Sequence, residues 1–120
     1  MRTAIKTSLG ACLCFAAFTA QAFNVFACEP EWAALTKALM PQATVFSATH
    51  HLQDPHHIEA RPALIAQLRR ANLAVCTGAS LEAGWLPMLQ QRAGNPTVQE
   101  GQPGMFYAAS VVDLIDPHKG

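Results

Sequence analysis

The chain has 120 residues, with eight basic and eight acidic side chains, so its formal net charge is zero when the histidines are neutral. Neither a basic patch nor an acidic run stands out, which argues against a nucleic-acid partner and against a charged tail. At this length we expect one small domain with a modest hydrophobic core.

The first 22 residues have the three parts of a secretory signal peptide. Arg2 and Lys6 give a basic start, an almost wholly apolar run follows at 9–19, and 20–22 has the small-residue pattern of a cleavage site. The apolar run is short for a membrane span. We therefore expect a signal peptide at 1–22, cleavage after Ala22 and export to the periplasm. An uncleaved membrane anchor and a lipoprotein signal at Cys12 are the alternatives.

Cleavage after Ala22 would remove two of the four cysteines, Cys12 and Cys14, and leave Cys28 and Cys76. In an oxidising compartment a disulfide between these two is expected about as readily as two buried thiols on neighbouring strands. The sequence leaves both alternatives open. It contains no C-x-x-C pattern, which argues against redox catalysis.

Beyond Ala22 the hydrophobic pattern alternates between strand and helix. Short apolar runs with β-branched or aromatic residues predict strands, and apolar residues on one helical face predict helices, as do Trp32, Leu35 and Leu39 and, further on, Leu64, Ile65 and Leu68. The predicted strands are 23–28, 43–49 and 72–79. The predicted helices are 29–40, 61–71 and 80–94, the last capped by Ser80, kinked or restarted around Gly84 and Pro87, and closed at Gly94. A further short strand is predicted at 97–99, and the last sixteen residues show only an apolar patch at 111–115.

Strands that alternate with helices predict βαβ units, hence an α/β fold with a mainly parallel sheet flanked by helices on both faces. Ligands of such sheets bind at the carboxyl ends of the strands. The segment after the second strand, THHLQDPHHIEARP at 49–62, carries four of the five histidines. Topology therefore predicts that this histidine loop lies on the edge of the sheet where ligands bind.

Imidazole is the commonest protein ligand for zinc, and His50, His51, His56 and His57 are the candidates in the loop. Adjacent side chains such as His56 and His57 point to opposite sides of an extended segment. His51 and His56 lie about 17 Å apart in a fully extended chain, at roughly 3.3 Å per residue. A turn at Asp54-Pro55 would bring them nearer. The loop is thus expected to supply one or two ligands rather than four.

Two neighbouring features favour metal binding by this loop. A following helix start disfavours imidazolium and so favours the neutral imidazole that binds metal. Asp54 or Glu59 would accept the second ring N–H of a ligating histidine. The alternative is a polar surface loop that binds no metal. No nucleophile elbow, G-x-G-x-x-G motif or P-loop is present, and a thiol enzyme based on Cys76 is a further alternative.

The sequence resembles the periplasmic metal-binding proteins of zinc and manganese ABC uptake systems in three segments, which are CEPEWAALTKAL, QDPHHIEARPALIAQLRRANLAVCTGASLEAGWLP and GNPTVQEGQPG. The resemblance extends over about 24–104. It implies two α/β lobes that capture Zn²⁺ or Mn²⁺ between them and deliver it to a membrane permease, without enzymatic activity. It also implies that His56, in the Asp-Pro-His element, is the principal ligand. His57 and His51 are weaker candidates.

The resemblance carries expectations about the rest of the chain. The sequence ends at Gly120, so we expect 23–120 to be the incomplete N-terminal lobe of such a protein, with an incomplete ligand set. Asp-Pro-His recurs near the end, and His118 is an alternative second ligand. The competing hypothesis is a stand-alone periplasmic zinc buffer or chaperone that uses the whole histidine cluster. Histidine-rich surroundings favour zinc over manganese, which prefers oxygen ligands.

Overall fold

Four parallel strands form the sheet of the computed structural model, which describes residues 3–4, 10–16 and 21–115. The strands are β1 (Asn24–Ala27), β2 (Thr44–Ser47), β3 (Leu73–Cys76) and β4 (Met105–Tyr107). Their order is β2-β1-β3-β4, and every neighbouring pair is parallel. The predicted α/β fold with a mainly parallel sheet is therefore confirmed.

Three α-helices connect the strands: α1 (Pro30–Leu39), α2 (Pro62–Arg69) and α3 (Leu86–Ala93). Each has a proline in its first two positions, where the missing N–H costs nothing because no carbonyl of the helix would accept it. Helix α3 ends at Gly94, whose left-handed φ of 59° suits glycine best. Two short 3₁₀ helices follow at Pro96–Val98 and Ala108–Val111.

The helices cover both faces of the sheet. On one face α2 and α3 enclose the main core, whose largest fully buried side chains include Phe26, Leu64, Leu68 and Leu89. On the other face Trp32 of α1 packs over a smaller cluster around Val25 and Val75. This two-sided burial makes the central strands nearly all apolar.

Two local predictions differ from the structure, and one strand was missed. The helix predicted at 80–94 is not capped by Ser80 and begins only at Leu86, near the predicted restart around Gly84 and Pro87, and it ends at Gly94 as predicted. Ala79 and Ser80 have positive φ angles of 51° and 69°, and the chain turns up to that point. The segment 97–99 is not a strand: Pro96–Val98 is a 3₁₀ helix whose start is capped by Asn95. Strand β4 was not predicted, since its three residues form a strand only by pairing with β3.

The apolar stripe predicted on α1 is only partly buried. Leu35 and Leu39 are exposed, whereas Thr36 is the buried residue of the helix. On α2 the prediction is correct, because Leu64 and Leu68 are buried and Ile65 packs against the main core. Helix α1 therefore leaves an apolar strip on the outside of the described domain.

A disulfide joins Cys28, directly after β1, to Cys76, the last residue of β3. The two Cα atoms are 4.8 Å apart, as expected for residues at the ends of neighbouring strands. Of the two alternatives that the sequence left open, the structure has the disulfide. It fastens the two central strands together at the carboxyl edge of the sheet.

Half of the predicted signal peptide falls outside the described residues, and its presence and cleavage after Ala22 stay predictions. Within the part of the chain that the structure describes, every helix is too short or too polar to cross a membrane.

Candidate metal-binding site

The histidine loop, 48–61, leaves β2 at the carboxyl edge of the sheet, where topology predicted it. Its first part is fastened to β1, because the Thr49 hydroxyl donates to the carbonyl of Cys28 at 2.9 Å. Near its end Ile58 packs against the main core. The loop therefore has a buried attachment on each side of its histidines.

The start of α3 supports the loop from below. The indole N–H of Trp85 donates to the Pro55 carbonyl at 2.7 Å. Gly84 passes so close that a Cβ placed on it would lie 2.9 Å from the His56 carbonyl oxygen. Only a residue without a side chain fits at position 84 with the backbone in this place. Together these contacts fix the backbone of the Asp-Pro-His turn against a rigid element.

Asp54 orients His56. One carboxylate oxygen of Asp54, Oδ1, accepts the backbone N–H of His56 at 3.0 Å and lies 2.7 Å from its ring Nδ1. Because a carboxylate only accepts, Nδ1 must carry the proton, and the neutral ring then has its lone pair on Nε2. The backbone hydrogen bond from His56, followed by the one from its side chain, lowers the pKa of Asp54. His56 thus has the carboxylate partner that metal-binding histidines commonly have in proteins.

His57 lies less favourably. Its side chain is 84% exposed against 60% for His56, and its Nε2 is 4.0 Å from Asp54 Oδ2. The ring centroids of His56 and His57 are 6.3 Å apart, with their planes inclined at 47°. Both rings therefore lie beside the carboxylate of Asp54, and His56 is the one in hydrogen-bonding contact with it.

His50 and His51 border a different recess. It has a volume of about 190 Å³, and Glu29, Glu31 and Gln53 also line it. The ring Nδ1 of His50 accepts the Leu52 N–H at 3.3 Å, so that nitrogen is already engaged within the loop. Across residues 3–4, 10–16 and 21–115, no three histidine or carboxylate donors of the loop converge on one point. His118 lies outside the described residues.

Beneath the loop lies a buried pair of acids that the sequence analysis did not identify as a unit. Glu29, which precedes α1, and Glu82, in the turn before α3, are each only 2% exposed. The two oxygens of Glu82 accept the backbone N–H groups of Thr77 and Gly78 at 2.7 and 3.0 Å. The Thr77 hydroxyl donates to Glu29 Oε2 at 3.1 Å and accepts the indole N–H of Trp32 at 2.8 Å.

Burial, the hydrogen bond with Glu82 and the charge of Glu82 raise the pKa of Glu29 to about 8. Near neutral pH the Glu29 carboxyl therefore holds a proton. Its oxygen Oε2 accepts from Thr77, and its second oxygen, Oε1, is buried as well. No other group in the described chain donates to that buried oxygen. The only sequence signal for the pair was position, since both acids follow the carboxyl ends of central strands, where α/β sheets place functional groups.

Fold and loop together define the class: a parallel α/β unit that presents a carboxylate-supported histidine at the ligand-binding edge of its sheet. The family described as Zinc-uptake complex component A periplasmic matches residues 25–118 of this sequence. The chain belongs to this family, as the resemblance in its motifs predicted. A search of the curated proteins gives no match.

Three solved structures have a similar fold. A periplasmic metal binding protein from Candidatus Liberibacter asiaticus is 18% identical, with a TM-score of 0.54 over 67% of this chain and 28% of that one. A metal-free mutant from the same source is also 18% identical, with a TM-score of 0.54 over 76% and 36%. A structure named ZnuA is 25% identical, with a TM-score of 0.53 over 69% and 33%.

The first two likenesses, at 18% identity, concern the fold alone. This chain spans about a third of the length of the three structures that it matches. The activity of such a whole protein, and its partners, are therefore matters for proposal.

Proposed function

We propose that this chain is the histidine-bearing part of a solute-binding protein that captures Zn²⁺ in the periplasm and passes it to an ABC-type membrane permease. In this proposal the protein is a carrier and not an enzyme, and residues 1–22 are the signal peptide that exports it. Residues 23–120 then form the N-terminal lobe. The metal is the cargo of the protein rather than a resident cofactor.

The observation that carries the proposal is the Asp54–His56 pair. The ring nitrogen Nδ1 of His56 is bonded to Asp54. Trp85 donates to the Pro55 carbonyl, and Gly84 lies close against the His56 carbonyl, so the backbone of the turn is fixed. The free Nε2 of His56 is therefore available to one ion without reorganisation of the loop. His56 is the principal ligand in this proposal, and His57 and His51 are the weaker candidates. An imidazole ligand favours Zn²⁺ over Mn²⁺, which prefers oxygen donors.

Isothermal titration of the purified chain with Zn²⁺ and with Mn²⁺ tests this proposal. We expect His56→Ala to weaken zinc binding by at least about tenfold, and Asp54→Asn, which keeps the shape but loses the charge, to weaken it by about tenfold. The variant His50→Ala is the matched control, since it removes an imidazole of the same loop that is not a proposed ligand and should leave the affinity nearly unchanged.

Two other results would favour different functions. If the control variant abolishes binding while His56→Ala does not, the ligand assignment is wrong. If each of the four histidines contributes a similar part of the affinity, the stand-alone zinc buffer or chaperone is the better description, because that function needs an adaptable cluster rather than one oriented ligand. Tighter binding of Mn²⁺ than of Zn²⁺ would overturn the choice of ion.

A further inference from the structure

A second group of possible metal ligands lies below the histidine loop, around the disulfide. The sulfurs of Cys28 and Cys76 and a carboxylate oxygen of Glu82 all lie within 4.8 Å of one another. Both cysteines are fully buried, and Glu82 is only 2% exposed. Neighbouring parallel strands bring the two sulfurs together, and the turn before α3 brings the carboxylate to them.

Glu29 adds an independent observation. It directly follows Cys28 in the chain and is 2% exposed, and its Oε1 is a buried oxygen that no other described group supplies with a donor. Its carboxyl is a hydrogen-bonding neighbour of Glu82. A buried oxygen without a donor is costly unless a proton or a cation serves it. The two sulfurs and the carboxylate of Glu82 make three donors, the number that the protein supplies to a zinc site with one open position.

We propose that reduction of the Cys28–Cys76 disulfide converts this cluster into a second, buried site for a thiophilic divalent cation such as Zn²⁺, with Cys28, Cys76 and Glu82 as ligands and Glu29 as the carboxyl that supports Glu82. The site goes beyond the capture function of the histidine loop and shares no ligand with it. Its occupation depends on redox state, because a sulfur bonded to another sulfur offers no thiolate to a metal.

The chemistry balances with a dithiol as reductant. The sulfur–sulfur bond breaks and takes up two electrons and two protons, and the dithiol is oxidised to its own disulfide. The cation then forms two metal–sulfur bonds and displaces both thiol protons to solvent. Since unpaired thiolates and carboxylates are costly in a buried place, the divalent charge is what lets Cys28, Cys76 and Glu82 be ionised together.

Cobalt(II) spectroscopy tests the proposal directly. The full chain is reduced anaerobically with a phosphine, freed of the reductant and titrated with Co²⁺, whose thiolate ligands give an intense charge-transfer band in the near ultraviolet. We expect that band in the reduced wild type and in reduced His56→Ala, and its absence in the oxidised protein. Zn²⁺ should bleach it, as a competitor for the same ligands.

Matched variants assign the ligands. Cys76→Ser should lose the band, and Glu29→Gln should weaken Co²⁺ binding by at least about tenfold. Glu31→Gln, an exposed acid two positions further along, should leave it unchanged. A reduced chain that keeps its circular dichroism but gives no band, or one whose affinity is the same in Glu29→Gln and Glu31→Gln, would overturn the proposed site.

A second measurement tests the proposal if the chain loses its structure on reduction. If the reduced chain unfolds, Zn²⁺ should restore its circular dichroism in the wild type and fail to do so in Cys76→Ser, because binding to the folded site favours folding. If Zn²⁺ restores neither protein, or both equally, the proposal is refuted.

Discussion

Replacement of Glu29 by glutamine tests the buried acid pair through the pH dependence of stability. Burial raises the pKa of this carboxyl from 4.5 to about 8, so the folded chain holds its proton over a range in which the unfolded chain releases it. The stabilisation is complete below pH 4.5 and is lost as the pH rises towards 8. Wild-type stability should therefore fall between pH 5 and pH 8, and Glu29→Gln should remove that part of the fall.

The magnitude follows from the same interval. From 4.5 to about 8, at roughly 1.4 kcal/mol per pH unit, the complete loss would be about 5 kcal/mol. This is an upper bound, because water can reach the carboxyl by local opening once opening costs less than burying the charge. We expect Glu29→Gln to be more stable than the wild type at pH 8 by about 2 kcal/mol or more, and close to it at pH 5.

Urea unfolding of the oxidised proteins at the two pH values gives the free energies. The difference between variant and wild type cancels the contribution of every other titrating group. Glu31→Gln is the control, since it removes a neighbouring acid that lies in solvent. If Glu29→Gln is no more stable than the wild type at pH 8, the carboxyl ionises in the folded protein at little cost, and the account of the pair is wrong.

Three further predictions concern the support of the loop and the core. Gly84→Ala should weaken zinc binding by about tenfold, because the new Cβ would displace the His56 carbonyl; an unchanged affinity in titration calorimetry would show that the loop yields freely. Trp85→Phe keeps the ring but removes the donor to Pro55, and we expect unfolding to become easier by about 1 kcal/mol in urea. Leu89→Ala should cost about 2–5 kcal/mol in the same assay, against less than about 0.5 for the exposed Leu39→Ala; similar costs would contradict the described core.

Most of the sheet was predictable because its central strands carry their own signal. Runs such as 23–28 and 72–79 are apolar throughout, as strands buried on both faces must be, and the prolines at 30 and 62 mark the helix starts. Strand β4 carries no such signal: Phe106 is exposed, and the three residues are ordered by pairing with β3. The start of α3 was misplaced because Glu82 accepts the N–H groups of Thr77 and Gly78 and so stabilises a turn.

The candidate site, like the sheet, was predictable only in part. His56 and its partner Asp54 are two positions apart, so their pairing is a local property that the sequence contains. Glu29 and Glu82 meet only because β1 and β3 are neighbours, and Gly84 reaches His56 only because α3 packs below the loop. Local chemistry can be inferred from spacing, whereas contacts between distant segments depend on a topology that spacing predicts only in outline.

In the proposed function, the rigid support of the His56 backbone would let a single exposed imidazole take part in metal capture. A ligand on a free loop must be ordered when the ion binds, and that entropy subtracts from the affinity. Here the turn is already fixed by the Trp85 donor, the close approach of Gly84 and the hydrogen bond from Thr49. The ion therefore meets an oriented Nε2, and the binding free energy is available for the remaining donors. Because these do not converge within the described part of the chain, the affinity gained when other donors join His56 should exceed what His56 supplies alone.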